Sequence, residues 1–158
     1  MQPSPTQQTL AKPDRDFVAK LSSVDFGPIA YKLMHPDEGE PWDLARVTQA
    51  VEQYRRFLFL SKHYPGHRVV PSREVDEVWH THILDTAKYR EDCDILFGKF
   101  MDHWPSFGLK DEAERAELND AFSETQQLME EHFGKSPTNA KGKSPANAKG
   151  KSSANAKG

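Results

Sequence analysis

The sequence predicts an all-α protein: a single compact domain of about five helices, set between an N-terminal arm (residues 1–13) and a C-terminal repeat tail (residues 135–158). From Asp14 to Gly134, apolar residues recur every three or four positions, and nowhere do they alternate as a half-buried strand requires. Gly, Pro and acidic clusters punctuate that pattern into helix-length pieces. A chain of 158 residues with 36% hydrophobic content is long enough to close one core, because most of its polarity sits at the two ends.

Residues 1–13 are rich in Gln, Pro, Ser and Thr, with little apolar surface to offset the entropy of ordering, which predicts a flexible arm. Phe17, Leu21 and Val24 mark a first helix, and Ile29, Ala30 and Leu33 a second, stopped near Pro36 by an acidic turn. Pro41-Trp42-Asp43 opens a longer helix whose apolar positions Leu44, Val47, Val51, Tyr54 and Leu58 run until Tyr64-Pro65-Gly66 breaks it. Val69-Val70 is the only strand-like fragment. Ser72 after Pro71 fits an N-cap, with Glu74 and Asp76 in the first turns where the helix dipole favours negative charge. The spacing predicts one helix from 73 to 97, ended by Gly98, and a last helix from near Asp111 to Gly134.

Charge is unevenly distributed. The overall balance is −3, but six lysines follow Gly134, so residues 1–134 hold 15 basic residues against 24 acidic ones. From Lys135 the sequence is three octapeptides built on Lys-Ser-Pro-Thr-Asn-Ala-Lys-Gly, with no large apolar residue, which predicts a disordered tail. Lys135, Lys141, Lys143, Lys149, Lys151 and Lys157 suit weak, sequence-blind contact with nucleic acid or another acidic partner, including the acidic body in cis. The single Cys93 excludes an intrachain disulfide, no signal peptide opens the chain, and no apolar stretch approaches the roughly 20 residues of a membrane span. A soluble, intracellular, cytoplasmic protein is expected.

Chemistry concentrates in Asp76-Glu-Val-Trp-His80-Thr-His82, followed by Tyr89, Cys93 and His103. At 100° per residue, Asp76 and His80 share one face, while His82 lies about 160° away from His80. His82 falls with Val75, Trp79, Tyr89 and Cys93 on an apolar stripe and so faces the core. Asp76 and His80 as an i, i+4 pair, completed by His103, form a carboxylate and two-histidine set suited to Zn or non-haem Fe. His82, Tyr89 and Cys93 are then supporting or alternative ligands. The plainer readings are a surface pair for Asp76 and His80, a hydrogen-bonded core imidazole for His82 that accepts from Tyr89, and a small buried hydrophobe for Cys93. Phosphate loops, His-Glu-x-x-His and nucleophile-elbow patterns are missing.

The stretch from Val70 to Gly98, with Asp76, Trp79-His80-Thr81-His82, Leu84-Asp85-Thr86, Tyr89, Asp92-Cys93 and Phe97-Gly98, then His103-Trp104-Pro105 and Phe107-Gly108, resembles the glycine-rich domain-containing protein-like family of bacteria, fungi and plants. The resemblance implies an intracellular helical module without a firmly established activity. In the longer plant members, RNA-related roles have been proposed for proteins that also carry a glycine-rich region, which this chain, with nine glycines, does not have. The sequence thus leads to a metal-binding helical protein, a non-haem iron or zinc enzyme acting on a small molecule or peptide if it is an enzyme at all. Its rival is a non-enzymatic interaction module built around a buried polar network.

Overall fold

The computed structural model describes residues 12–135, and these form six α-helices with no strand among them. Helix α1 (Lys12–Ser23) presents Phe17 and Leu21 to the core, and α2 (Gly27–Met34) presents Ile29 and Leu33. Helix α3 (Leu44–His63) is the hub, packing against α1, α2, α4 and α6. Its second half explains that position: Phe57, Leu58, Phe59 and Leu60 are all buried, so this helix is apolar all round and must be enclosed by its neighbours. Asp43 caps it, accepting from the Arg46 N–H at 2.8 Å.

The single helix expected from 73 to 97 is two. Helix α4 (Arg73–Leu84) begins at its Ser72 cap, whose hydroxyl accepts from the Val75 N–H, and stops at Asp85. There ψ swings to 73°, and the Asp85 N–H turns back to the His82 carbonyl at 3.1 Å. Helix α5 (Thr86–Phe97) restarts immediately, with the Tyr89 N–H on the Asp85 carbonyl. The consequence is large. Residues ten apart on one continuous helix lie about 15 Å apart, yet His82 touches Asp92 at 2.8 Å and Trp79 touches Tyr89 at 3.0 Å. Helix α5 has folded back on α4. Short polar residues compete well for backbone groups at such a break, and Asp85-Thr86 supplies two of them. The apolar period runs across the break without a gap, so spacing alone does not reveal it.

Gly98 ends α5 in the left-handed conformation, at φ 69°, as expected. An irregular segment carrying His103 leads to α6 (Glu112–Phe133), where Asp111 accepts from the Glu114 N–H and Glu114 reaches back to the Lys110 N–H. Gly108 fixes this approach: its φ is +90°, and a Cβ there would stand 2.5 Å from Leu118 Cδ2. Leu118 and Phe122 of α6 enclose Val70, while the Thr125 hydroxyl accepts the Val70 N–H at 3.0 Å. Val69-Val70 is thus pinned to a helix without pairing as a strand. The tail beyond Lys135, with Lys141, Lys143, Lys149, Lys151 and Lys157, and the arm before Lys12 lie outside the described residues.

Candidate metal centre

Helix α4 places Asp76 and His80 one turn apart, and the segment after Gly98 brings His103 onto the same spot. His80 Nε2 stands 3.2 Å from Asp76 Oδ2, His103 Nε2 stands 2.9 Å from Asp76 Oδ1, and the two imidazole Nε2 atoms are 2.8 Å apart. The side chains of Asp76 and His103 are 13% exposed, whereas that of His80 is 46% exposed. The set is therefore held from below and open on one side.

Hydrogen bonding alone does not satisfy this arrangement. An imidazole pair at 2.8 Å needs one N–H between the two nitrogens, and an N–H so directed is not available to the carboxylate. Two N–H groups would point at each other; one leaves the other contacts short of a hydrogen. Asp76 Oδ1 shows the deficit directly, since it is buried and the nearby His103 ring does not aim a hydrogen at it. A buried carboxylate oxygen without a partner is costly. Two imidazole nitrogens and a carboxylate whose ligand atoms lie within 4.8 Å of one another are a donor set that a cation would complete. For metal–nitrogen distances near 2.05 Å, ligand atoms at 90° are about 2.9 Å apart and tetrahedral ones about 3.4 Å. The 2.8 and 2.9 Å contacts lie near the first value and the 3.2 Å contact nearer the second, the two carboxylate contacts being made by different oxygens of Asp76.

His103 is positioned by two aromatic residues. Its ring stacks on Trp79 of α4 with centroids 4.0 Å apart and planes 10° from parallel. The Trp79 indole N–H donates to the Tyr89 hydroxyl at 3.0 Å, which in turn donates to the Met101 carbonyl at 2.6 Å, two residues before His103. Tyr89 thus ties the irregular segment down, and burial pushes the pKa of its hydroxyl well above the ordinary phenol value, so it remains a donor. Its expected bond to His82 is absent; the hydroxyl faces Met101 instead. The Cys93 thiol is buried beside Tyr89 and Met101, and desolvation raises its pKa, the opposite of what activates a thiolate.

His82 lies behind the cluster, 1% exposed, and both of its ring nitrogens are occupied. Nδ1 meets the Tyr54 hydroxyl at 2.8 Å, and Nε2 meets Asp92 Oδ2 at 2.8 Å. Lys88 closes the chain on Asp92 at 3.0 Å. Burial lowers the His82 pKa, against the opposing pull of Asp92, so the neutral ring donates through Nε2 and accepts at Nδ1. This ring has no lone pair to spare, and His80 and His82 do not converge. The partners Tyr54 and Lys88 carried no sequence signal, and Asp92 stood in the motif without a role.

A family model described as UCP032817-like matches residues 29–131, which span α2 to α6 and every residue of the cluster. The chain belongs to that family. Among curated proteins it is similar to two from Arabidopsis thaliana, bearing out the glycine-rich domain-containing resemblance. Glycine-rich domain-containing protein 2 is 32% identical over 96 residues, covering 56% of this chain and 12% of the relative. Glycine-rich domain-containing protein 1 is 33% identical over 148 residues, covering 77% of this chain and 18% of the relative. The chain therefore spans less than a fifth of either relative's length. No solved structure matches it.

Proposed function

We propose that the protein binds a divalent transition metal, iron or zinc, through Asp76, His80 and His103. The observation that carries this reading is the convergence of two imidazole Nε2 atoms and a carboxylate whose buried Oδ1 has no hydrogen-bond partner. Two histidines and one carboxylate suit a site that leaves positions open for water or substrate. A metal so held supplies Lewis acidity and an activated water, or redox chemistry if it is iron. The chain's own residues do the positioning: Asp76 and His80 fix one edge from a rigid helix, and Trp79 and Tyr89 hold His103 opposite them. An enzyme acting on a small molecule or peptide is the fuller form of this proposal.

The rival interaction-module reading draws support from the Tyr54–His82–Asp92–Lys88 chain, which is closed and satisfied. That chain accounts for His82 and leaves Asp76, His80 and His103 unexplained. Elemental analysis of untagged protein separates the two readings. About one equivalent of iron or zinc after anaerobic reconstitution, falling below about a tenth in His80→Ala, supports the metal site. Less than about a tenth of an equivalent in the unsubstituted protein would sink it.

A further inference from the structure

On another face of α4, away from the metal cluster, lies an open groove of about 1090 Å³ bounded by α2, the turn after it and the start of α3. Its charge is one-sided. Asp37, Glu38, Glu40, Glu77 and Asp85 line it against Lys32 and Arg46 alone. Both bases are already engaged, Lys32 by Asp37 at 2.7 Å and Arg46 by Glu74 at 2.5 Å. The walls also offer aromatic surface: Tyr31 is 66% exposed, and Trp42 is half-buried under the Arg46 guanidinium. Carboxylates beside an exposed aromatic ring form a surface that takes an extended basic segment containing proline, because the ring packs the pyrrolidine and the carboxylates take the lysines.

The same chain contains such a segment. Residues 135–158 carry six lysines, no acidic residue and two Lys-Ser-Pro sequences, and the repeat junctions Lys141-Gly142-Lys143 and Lys149-Gly150-Lys151 put lysines in pairs. We infer that the second and third octapeptides, Lys143 to Gly158, dock in this groove in cis. Reach permits it. Helix α6 ends at Phe133, which packs on Phe59 near the far end of α3. Arg46 lies 13 residues back along that helix, a separation of about 20 Å. The first octapeptide, extended at about 3.3 Å per residue, spans roughly 26 Å and brings the second to the groove. Tethering supplies an effective concentration on the order of millimolar, so weak individual contacts suffice. The inference stands on charge and reach, independent of any metal.

Paramagnetic relaxation in the full-length chain tests it. A nitroxide on Ser152→Cys labels the tail alone, since Cys93 is 2% exposed. The expected result is broadening of the Trp42 indole and Gly39 amide signals at low salt, reduced several-fold at about 0.5 M salt, where the screening length is only a few ångströms. The double substitution Glu38→Lys with Glu40→Lys, in an exposed turn, should abolish the broadening without moving the thermal midpoint. Three results would overturn the proposal. One is no broadening at the groove at low salt. Another is broadening unchanged by the double substitution. The third is broadening only between a labelled molecule and a separate isotope-labelled one, which would place the tail in trans. A tail that is free at low salt but retained on duplex DNA would assign its lysines to nucleic acid.

Discussion

His80 and His82 sit two residues apart in one helix, and their surroundings differ in every respect that matters to chemistry. His82 is enclosed, neutral and bonded at both nitrogens, in a chain that ends on a lysine near the surface. His80 is half-exposed and shares a point in space with a second imidazole and a carboxylate, with too few hydrogens to bond them all. A polar network complete within the protein stabilises packing; one left incomplete by the protein is arranged for something else. The 160° between the two side chains on α4 produces both outcomes from one short sequence.

The largest expected effect lies on the closed side. His82→Ala opens a cavity, leaves the Tyr54 hydroxyl without its partner and leaves Asp92 with Lys88 alone, which should cost about 3 kcal/mol of unfolding free energy. Urea denaturation measures it, and a loss under about 1 kcal/mol would mean that the network contributes little to the fold. Metal stoichiometry in the folded fraction should be unchanged, which is what separates the two sides.

Tyr89 joins them, so Tyr89→Phe is a finer probe. It removes the bond to Met101 while keeping the ring, and should weaken metal binding about 10- to 100-fold, as loss of an outer positioning contact does. A competition titration reads this, with the His103 imidazole resonances reporting whether the ring has lost its fixed position on Trp79. Unchanged affinity would show that the stack alone positions His103.

The smallest effect concerns pH. Burial depresses the pKa of His82 from 6.5, and burial together with His63 depresses that of His132. Both return to ordinary values on unfolding, so below about pH 6.5 the unfolded chain binds more protons than the folded one. Stability of the metal-free protein should therefore fall as pH drops from about 7.5 to 5.5, with a slope no steeper than roughly 1.4 kcal/mol per pH unit for each group. His132→Gln should flatten the slope. A urea midpoint that rises on acidification would contradict the assignment of these rings as neutral in the folded state.

Much of this was legible in the sequence. The cap at Ser72, the opening of a helix at Asp43, the stop at Gly98 and the opposite facing of His80 and His82 depend on a few neighbouring residues, and short-range rules capture them. The break at Asp85 was hidden because Trp79, Tyr89, Cys93 and Leu96 keep a helical period across it. Once the chain turns there, contacts depend on how α5 folds back. The pairing of His82 with Asp92 follows from that, and the one with Tyr54 from the packing of α3 against α4. No spacing rule contains either. His103 was reachable only because few histidines follow α4, whereas its stacking on Trp79 is a purely tertiary fact.

The open site is tested most directly by the thermal midpoint of untagged protein with and without added metal, measured side by side for the unsubstituted chain and His80→Ala. His80 contributes little to packing, so the two metal-free midpoints should agree within about a degree or two. Iron or zinc at about 100 times its dissociation constant should add roughly 2.7 kcal/mol to the unsubstituted protein, a rise of several degrees, and nothing comparable to His80→Ala. Equal shifts in both proteins, or no shift in either, would contradict a metal held by Asp76, His80 and His103.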